Sequence, residues 1–429
     1  MTATVADAPA APASSAPIPP KRFGAAITLG VVALLSLVIF GFGSASGAST
    51  TFVVARPTDF FAIPSFTLPS QLAAIVFSVI GLALAGWTAY RANQRRKVGL
   101  WVPVVYGMAI MGALLTWAGA GRDATSIQLT GLLTSSLFLA VPLVFGALAG
   151  TLCERSGIIN IAIEGQLLAG AFLAALIASM VGNAYVGLIA APIAGALVGL
   201  VLAIFATKYW VNQIVVGVVL NMLVLGLTNF FFSTVMTENG DLNQPLGMPK
   251  LAIPLLSKIP VIGPVLFNQN LLVYILYVVV AVLQIMLFRS RWGLRVRAVG
   301  EHPKAADTVG IQVNRTRVRN TVLGGAIAGL GGAFFTVASG LAFGKEMTAG
   351  KGYIALAAMI LGRWSPRGAL AAALLFGFAD ALRAQLGAIG SPIPSQFLAM
   401  FPYIATIFAV AGLVGHARPP ASEGIPYKK

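Results

Sequence analysis

Long apolar runs, broken by short polar or basic clusters, set the rhythm of this chain. Runs of about 20 residues suit a hydrocarbon core of about 30 Å. They fall near 23–45, 70–90, 100–120, 129–152, 161–181, 185–206, 214–235, 271–288, 321–343, 369–386 and 397–414. A further stretch, 347–364, reads either as a full span or as a re-entrant piece that ends at the basic cluster 363–367. The pattern therefore predicts an all-α polytopic transmembrane bundle of about ten to twelve helices. A barrel would show alternating segments of about 10 residues, and none is visible.

Charge placement orients the bundle. Arg91, Arg95, Arg96 and Lys97, the turn at Glu154 and Arg155, and the segment 289–320 all follow or precede apolar runs. Short Lys/Arg-rich loops stay on the cytoplasmic face. The N-terminus is then expected in the cytoplasm, and the Pro-containing stretches 50–69 and 236–270 outside. Residues 1–22 are Ala/Pro-rich and expected to be disordered. They lack the basic start of a signal peptide, and the run that follows is too long for a cleaved one.

Composition narrows the chemistry. Hydrophobic residues make up 58% of 429, and the net charge is +16. Because most cations flank apolar runs, that charge speaks for membrane orientation and against nucleic acid. Cys153 is the only cysteine and His302 and His416 the only histidines, so metal ligands of those types are scarce. Gly344-Lys345 and Gly350-Lys351-Gly352 lack the spacing and Ser/Thr of a P-loop. No catalytic residue, metal site or cofactor is expected in this chain.

The segment 289–335 stands apart. It concentrates Arg289, Arg291, Arg295, Arg297, Lys304, Arg315, Arg317 and Arg319, with only Glu301 and Asp307 as acids. It suits a cytoplasmic loop, with a short helix expected over 301–311 that docks on a partner. Glycines follow at helical spacing. Gly195 and Gly199 share one face and Gly325, Gly329 and Gly332 another, as close-packed membrane helices require.

Polar groups interrupt the apolar field at few places. Glu154 and Arg155 suit a local pair in a turn, as do Asp380 and Arg383 on one helix. Asn160 and Gln166 flank Glu164, which follows an apolar triplet near the bilayer interface. Asn212 and Gln213 open another helix, on which Asn221 and Asn229 lie two turns apart. Ionisable and amide groups at such depth are costly, and so point either to cross-helix bonding or to a solute path.

Four segments together carry a resemblance: ERSGIINIAIEGQLLAGAF, NQIVVGVVLNML, GLRVRAVGEHPKAADTVGI and GKGYIALAAMILGRWSP. They resemble membrane permeases of bacterial ABC importers of the branched-chain amino acid, ribose and simple-sugar group, above all the nucleoside (Bmp-type) permeases. The resemblance implies a type II importer permease over 121–416, with a cytoplasmic coupling loop at 289–320. It leaves 23–120 as an additional N-terminal membrane region and 417–429 as a cytoplasmic tail.

By motif position the resemblance makes 301–310 the coupling helix, carried by Glu301, His302, Pro303, Lys304, Ala305, Ala306, Asp307 and Gly310. Asn160, Glu164, Asn221, Gly325, Gly329 and Gly332 become candidates for the translocation path. It further implies a separate ABC ATPase that uses ATP and Mg, a second permease subunit in a heterodimer, and an external substrate-binding lipoprotein. The chain would then lie in the bacterial inner membrane, among its lipids, and pass nucleosides or simple sugars. The alternative is an ion-coupled secondary transporter of a small polar solute, for which Glu164 and Asp380 are the available acids.

Overall fold

The computed structural model describes residues 23–55, 59–61, 63–99, 101–122, 126–394, 396–400, 403 and 418–428. The expected tail at 1–22, most of the expected span at 397–414 and His416 lie outside the described residues. Ten described helices are long and apolar enough to cross a membrane. The chain divides into two compact units, one formed by Met1–Thr51 with Thr67–Thr125 and the other by Phe52–Phe66 with Ser126–Lys429.

The first unit holds α1 (Gly24–Ser36), α2 (Ser70–Asn93) and α3 (Trp101–Ala118), with α1 prolonged by a wider turn over Leu37–Gly41. Small residues let these helices approach, and Ala33, Ala74 and Ala113 are fully buried. Ser36 and Ser78 share a hydrogen bond of 2.8 Å, and the Tyr106 hydroxyl donates to the Leu29 carbonyl at 2.6 Å. These polar ties hold where lipid offers no hydrophobic drive between helices.

The second unit contains α4 (Leu129–Arg155), α5 (Ile163–Val181), α6 (Ala184–Thr207), α7 (Gln213–Phe231), α8 (Ile262–Leu266) and α9 (Leu271–Arg289). It continues with α10 (Arg291–Glu301), α11 (Pro303–Thr308), α12 (Val313–Gly332), α13 (Lys351–Leu361) and α14 (Pro366–Ala388). α4 is the core helix, with every residue from Ala140 to Glu154 buried. Side-chain caps start several helices: Asn183 accepts from Tyr185 N at 2.9 Å, Asn212 from Ile214 N at 2.9 Å, and Ser365 from Gly368 N at 3.2 Å.

The glycine faces meet each other. A Cβ on Gly195 would lie 2.1 Å from the Gly325 carbonyl oxygen, and one on Gly329 would lie 2.4 Å from that of Ala191. Gly332 packs as tightly on α5, where a Cβ would sit 2.1 Å from the Leu167 carbonyl oxygen. In this conformation the three α12 glycines form a packing seam with α6 and α5, with no opening along it.

Two expectations need correction, and one open alternative is decided. The basic stretch 289–320 is largely helical: α10 fills 291–301, and α12 begins at Val313, eight residues before the expected span at 321. Its arginines belong to helices whose apolar residues (Val296, Val299, Val313) are buried, so charge density masked an amphipathic pattern. The expected helix over 301–311 shrinks to Pro303–Thr308, because Pro303 starts it and Gly310, at φ +83, lies beyond its end. α13 has 11 residues, about 16 Å, and is too short to cross the bilayer by itself.

Candidate functional site: a helical platform and a polar cluster

α10, α11 and the start of α12 form a platform. Ser290 caps α10, accepting from Gly293 N at 3.1 Å. Glu301 closes α10, and His302 alone separates it from α11. Pro303 at the first position of α11 supplies a pre-set φ where no N–H is needed. Lys304, Ala305, Thr308, Val309 and Gly310 are exposed, whereas Ala306 is buried with Val299, Val313 and Tyr427. One face of α11 is therefore anchored and the other is free to meet a partner.

The anchor comes from a segment that its composition marks as a tail. Residues 418–428 fold back on the platform: Ser422 N donates to the Gly300 carbonyl at 2.8 Å, and Ser422 Oγ to that of Glu301 at 2.9 Å. Ala421 N donates to the Glu301 carboxylate at 3.2 Å, and Gly424 N to the Gly157 carbonyl at 3.2 Å. Arg317, 1% exposed, donates to the carbonyls of Ile425 at 2.7 Å and Ser422 at 3.4 Å. Lys428 lies over the Trp210 ring, 4.6 Å from its centroid. The signal in sequence was slight, namely Ile425 and Tyr427 in an otherwise polar stretch.

The same segment carries an acid into the interior. Glu423 hydrogen-bonds the Glu154 carboxyl, and its Oε2 is buried without another partner among the described residues. Burial pushes the Glu423 carboxyl up from the ordinary glutamate range, with the hydrogen bond to Glu154 acting against it. The expected local pair of Glu154 with Arg155 does not form. Trp364 Nε1 donates to Glu154 Oε2 at 2.5 Å, and Arg155 Nε donates to the Trp364 carbonyl at 2.9 Å. Both bonds reach Trp364, in the turn between α13 and α14 about two hundred residues away in sequence.

A second polar cluster lies deeper. Glu164, in the first turn of α5, accepts from Thr348 Oγ1 at 2.7 Å, Gly350 N at 2.8 Å and Gly352 N at 2.6 Å. It thus caps the start of α13 with a carboxylate, where helix dipole and unpaired N–H groups favour negative charge. Asn221 accepts from Gly165 N at 2.8 Å and donates to the Ile161 carbonyl at 2.9 Å and to Tyr353 Oη at 3.2 Å. Lys351 pairs with Asp380, so the expected Asp380–Arg383 pair gives way to one between α13 and α14. Arg383 is exposed.

Close packing surrounds this cluster. Gly150 packs against Met359 and Ile163, Gly146 against Ala355 and Ile163, and Glu164 against Gly352. The turn before α5 dips into the bundle, with Ser156, Ile158, Asn160 and Ala162 fully buried. Glu164 is consequently held inside the protein by packing on both sides.

Not every candidate faces this cluster. Asn160 is fully buried, and its amide exchanges hydrogen bonds with Gln166 at 3.0 and 3.2 Å, a structural tie across the inward turn. Gly325, Gly329 and Gly332 lie in the packing seam. Asn229 is half-buried, and its Oδ1 takes no hydrogen bond among the described residues. Tyr353, half exposed beside Asn221, and Lys351 join the cluster without any signal in their sequence spacing. No group of three His, Cys, Asp or Glu among the described residues is placed to hold a metal.

Comparison with known proteins adds to this geometry. Residues 132–411 match the family model described as branched-chain amino acid transport system / permease component. The guanosine ABC transporter permease protein NupQ of Bacillus subtilis is 39% identical over 69% of this chain and 95% of its own length. The nucleoside ABC transporter permease protein NupC of Lactococcus lactis is 38% identical over 70% of this chain and 96% of its own. Each of these bacteria has a second, more distant match, NupP at 28% and NupB at 25%. No solved structure matches the chain.

Proposed function

This chain belongs to the family of branched-chain amino acid transport system permease components, and from that premise we propose that it is the nucleoside-translocating permease subunit of an ATP-driven importer. The likeness to a guanosine and a nucleoside permease, spanning nearly their whole length, carries the substrate class. The paired permeases of both bacteria support a heterodimer with a second, related chain. ATP and Mg belong to a separate ATPase, and an external binding lipoprotein delivers the solute. The basic platform faces the cytoplasm, as does the N-terminus, in keeping with the clustering of Arg and Lys.

In this reading α11 presents Lys304, Ala305 and Thr308 to the ATPase. Displacement passes without slack, because α11 is joined to α10 through His302 alone and pinned from behind by Tyr427. The turn 309–312 carries it to α12, which is seamed to α6 and α5 through glycine. Those helices border the polar cluster of Glu164, Asn221 and Tyr353. There the half-exposed Tyr353 hydroxyl, oriented by Asn221, offers a polar contact suited to a ribose or base.

The test is uptake of radiolabelled guanosine into proteoliposomes holding the complex purified from its own membranes, with and without enclosed ATP. ATP-dependent uptake is expected, and a co-purified P-loop ATPase with it. Uptake that is equal in both preparations overturns the importer, and leaves the Lys351–Asp380 pair as the place to look for ion coupling.

A further inference from the structure

Two helices of the platform each turn a pair of arginines toward one cavity. Arg291 and Arg295 are one turn apart on α10, and Arg315 and Arg319 one turn apart on α12, so each pair shares a face. All four line a cavity of about 970 Å³, and among the described residues no carboxylate lines it with them. Arg315 reaches Gln312 at 3.4 Å, a contact that leaves its charge uncompensated. Four guanidiniums around one space repel each other unless an anion sits between them.

We propose that this cavity is a binding site for the phosphate of an anionic membrane lipid. Guanidinium forks bind phosphate oxygens in pairs, which ammonium groups cannot do. Position selects the lipid over a soluble anion or an acidic protein surface. Ser290 alone separates α10 from the end of the span Leu271–Arg289, and α12 is itself the start of the span Val313–Ala338. Arg319 stands six residues into that span, about 9 Å along the helix, at headgroup depth. Leu294 and Val309, 62% and 75% exposed, add apolar surface at the same cavity, which suits the first carbons of acyl chains. Basic pockets at the ends of membrane helices have this affinity for acidic headgroups. Lys304, Ala305 and Thr308, which α11 offers to the ATPase, do not line the cavity; Val309 and Gly310 just after α11 do.

The experiment is native mass spectrometry of the full-length chain in neutral detergent, titrated with phosphatidylglycerol, with phosphatidylcholine, and with inorganic phosphate. All four arginines are exposed, so replacing them spares the core. The wild type should retain one phosphatidylglycerol in preference to phosphatidylcholine. Arg295→Gln with Arg319→Gln should weaken it by roughly tenfold or more, since each loses a charge-assisted bond. Arg289→Gln removes an exposed charge outside the cavity and should leave binding unchanged. Equal retention of both lipids, equal loss in Arg289→Gln, or inorganic phosphate holding the site without lipid preference would each overturn the proposal. Failure of this test leaves ATP-driven uptake untouched, so the two conclusions fall separately.

Discussion

Arg317 lies buried in the first turns of α12 and donates to the Ile425 carbonyl at 2.7 Å, across 108 residues of chain. The bond ties the segment after the membrane helices to the platform. A guanidinium at 1% exposure has few other ways to satisfy its donors, so platform and segment stabilise each other.

Arg317→Lys should therefore free residues 419–427. Loss of a hydrogen bond from a charged donor costs about 1.5–3 kcal/mol, which raises the undocked population roughly tenfold to hundredfold. Hydrogen exchange at Ser422 and Gly424, whose amides bond Gly300 and Gly157, reads this directly. Unchanged protection there would show that Tyr427 and Lys428 hold the segment without the arginine.

Docking of this segment should also depend on pH. Burial raises the Glu423 carboxyl, so the docked state binds protons more readily than the free one. Docking is then fully favoured below the ordinary glutamate range and weakens as pH rises through the raised value. Glu423→Gln, neutral at every pH, should flatten the profile of proteolytic release above the ordinary glutamate range. A wild-type profile already flat would mean that Glu423 does not change protonation on docking.

Gly310 has open space where a Cβ would go, yet sits at φ +83. Its requirement is conformational and not steric. Gly310→Val should cost about 1–2 kcal/mol of local strain, shift the turn between α11 and α12, and reduce ATP-driven uptake while the protein still inserts. Gly310→Asn, which tolerates the left-handed region, should keep more activity. Equal loss in the two variants would point to contact with the ATPase in place of backbone geometry.

Glu164→Gln keeps the volume but turns one acceptor into a donor against Thr348, Gly350 or Gly352. A buried donor left facing a donor costs about 1–3 kcal/mol, so thermal stability should fall and the start of α13 should loosen. If uptake falls further than stability accounts for, the carboxylate also acts on the solute. Guanosine uptake measured against melting temperature separates the two effects.

Gly195 and Gly199 on one helix, and Gly325, Gly329 and Gly332 on another, announced close packing by their spacing alone. A face without side chains has one structural use in a membrane. The ten spans were legible for the same reason, since apolar length against bilayer thickness is a local property of the chain. The family was legible through its motifs. Helix ends within the basic stretch were not, because charge density there conceals the buried Val296, Val299 and Val313.

What the sequence could not determine was which polar groups meet. Asp380 is three residues from Arg383 but pairs with Lys351, and Glu154 adjoins Arg155 but bonds Trp364. Local spacing ranks neighbours along one helix, whereas burial rewards the partner that desolvates with the group, from whatever distance in sequence. The burial of Glu164 has the same origin. The turn before it folds inward, and its polar groups are satisfied by Asn160, Gln166, Asn221 and the start of α13. The apolar runs were set by composition, and the polar interior by tertiary contact.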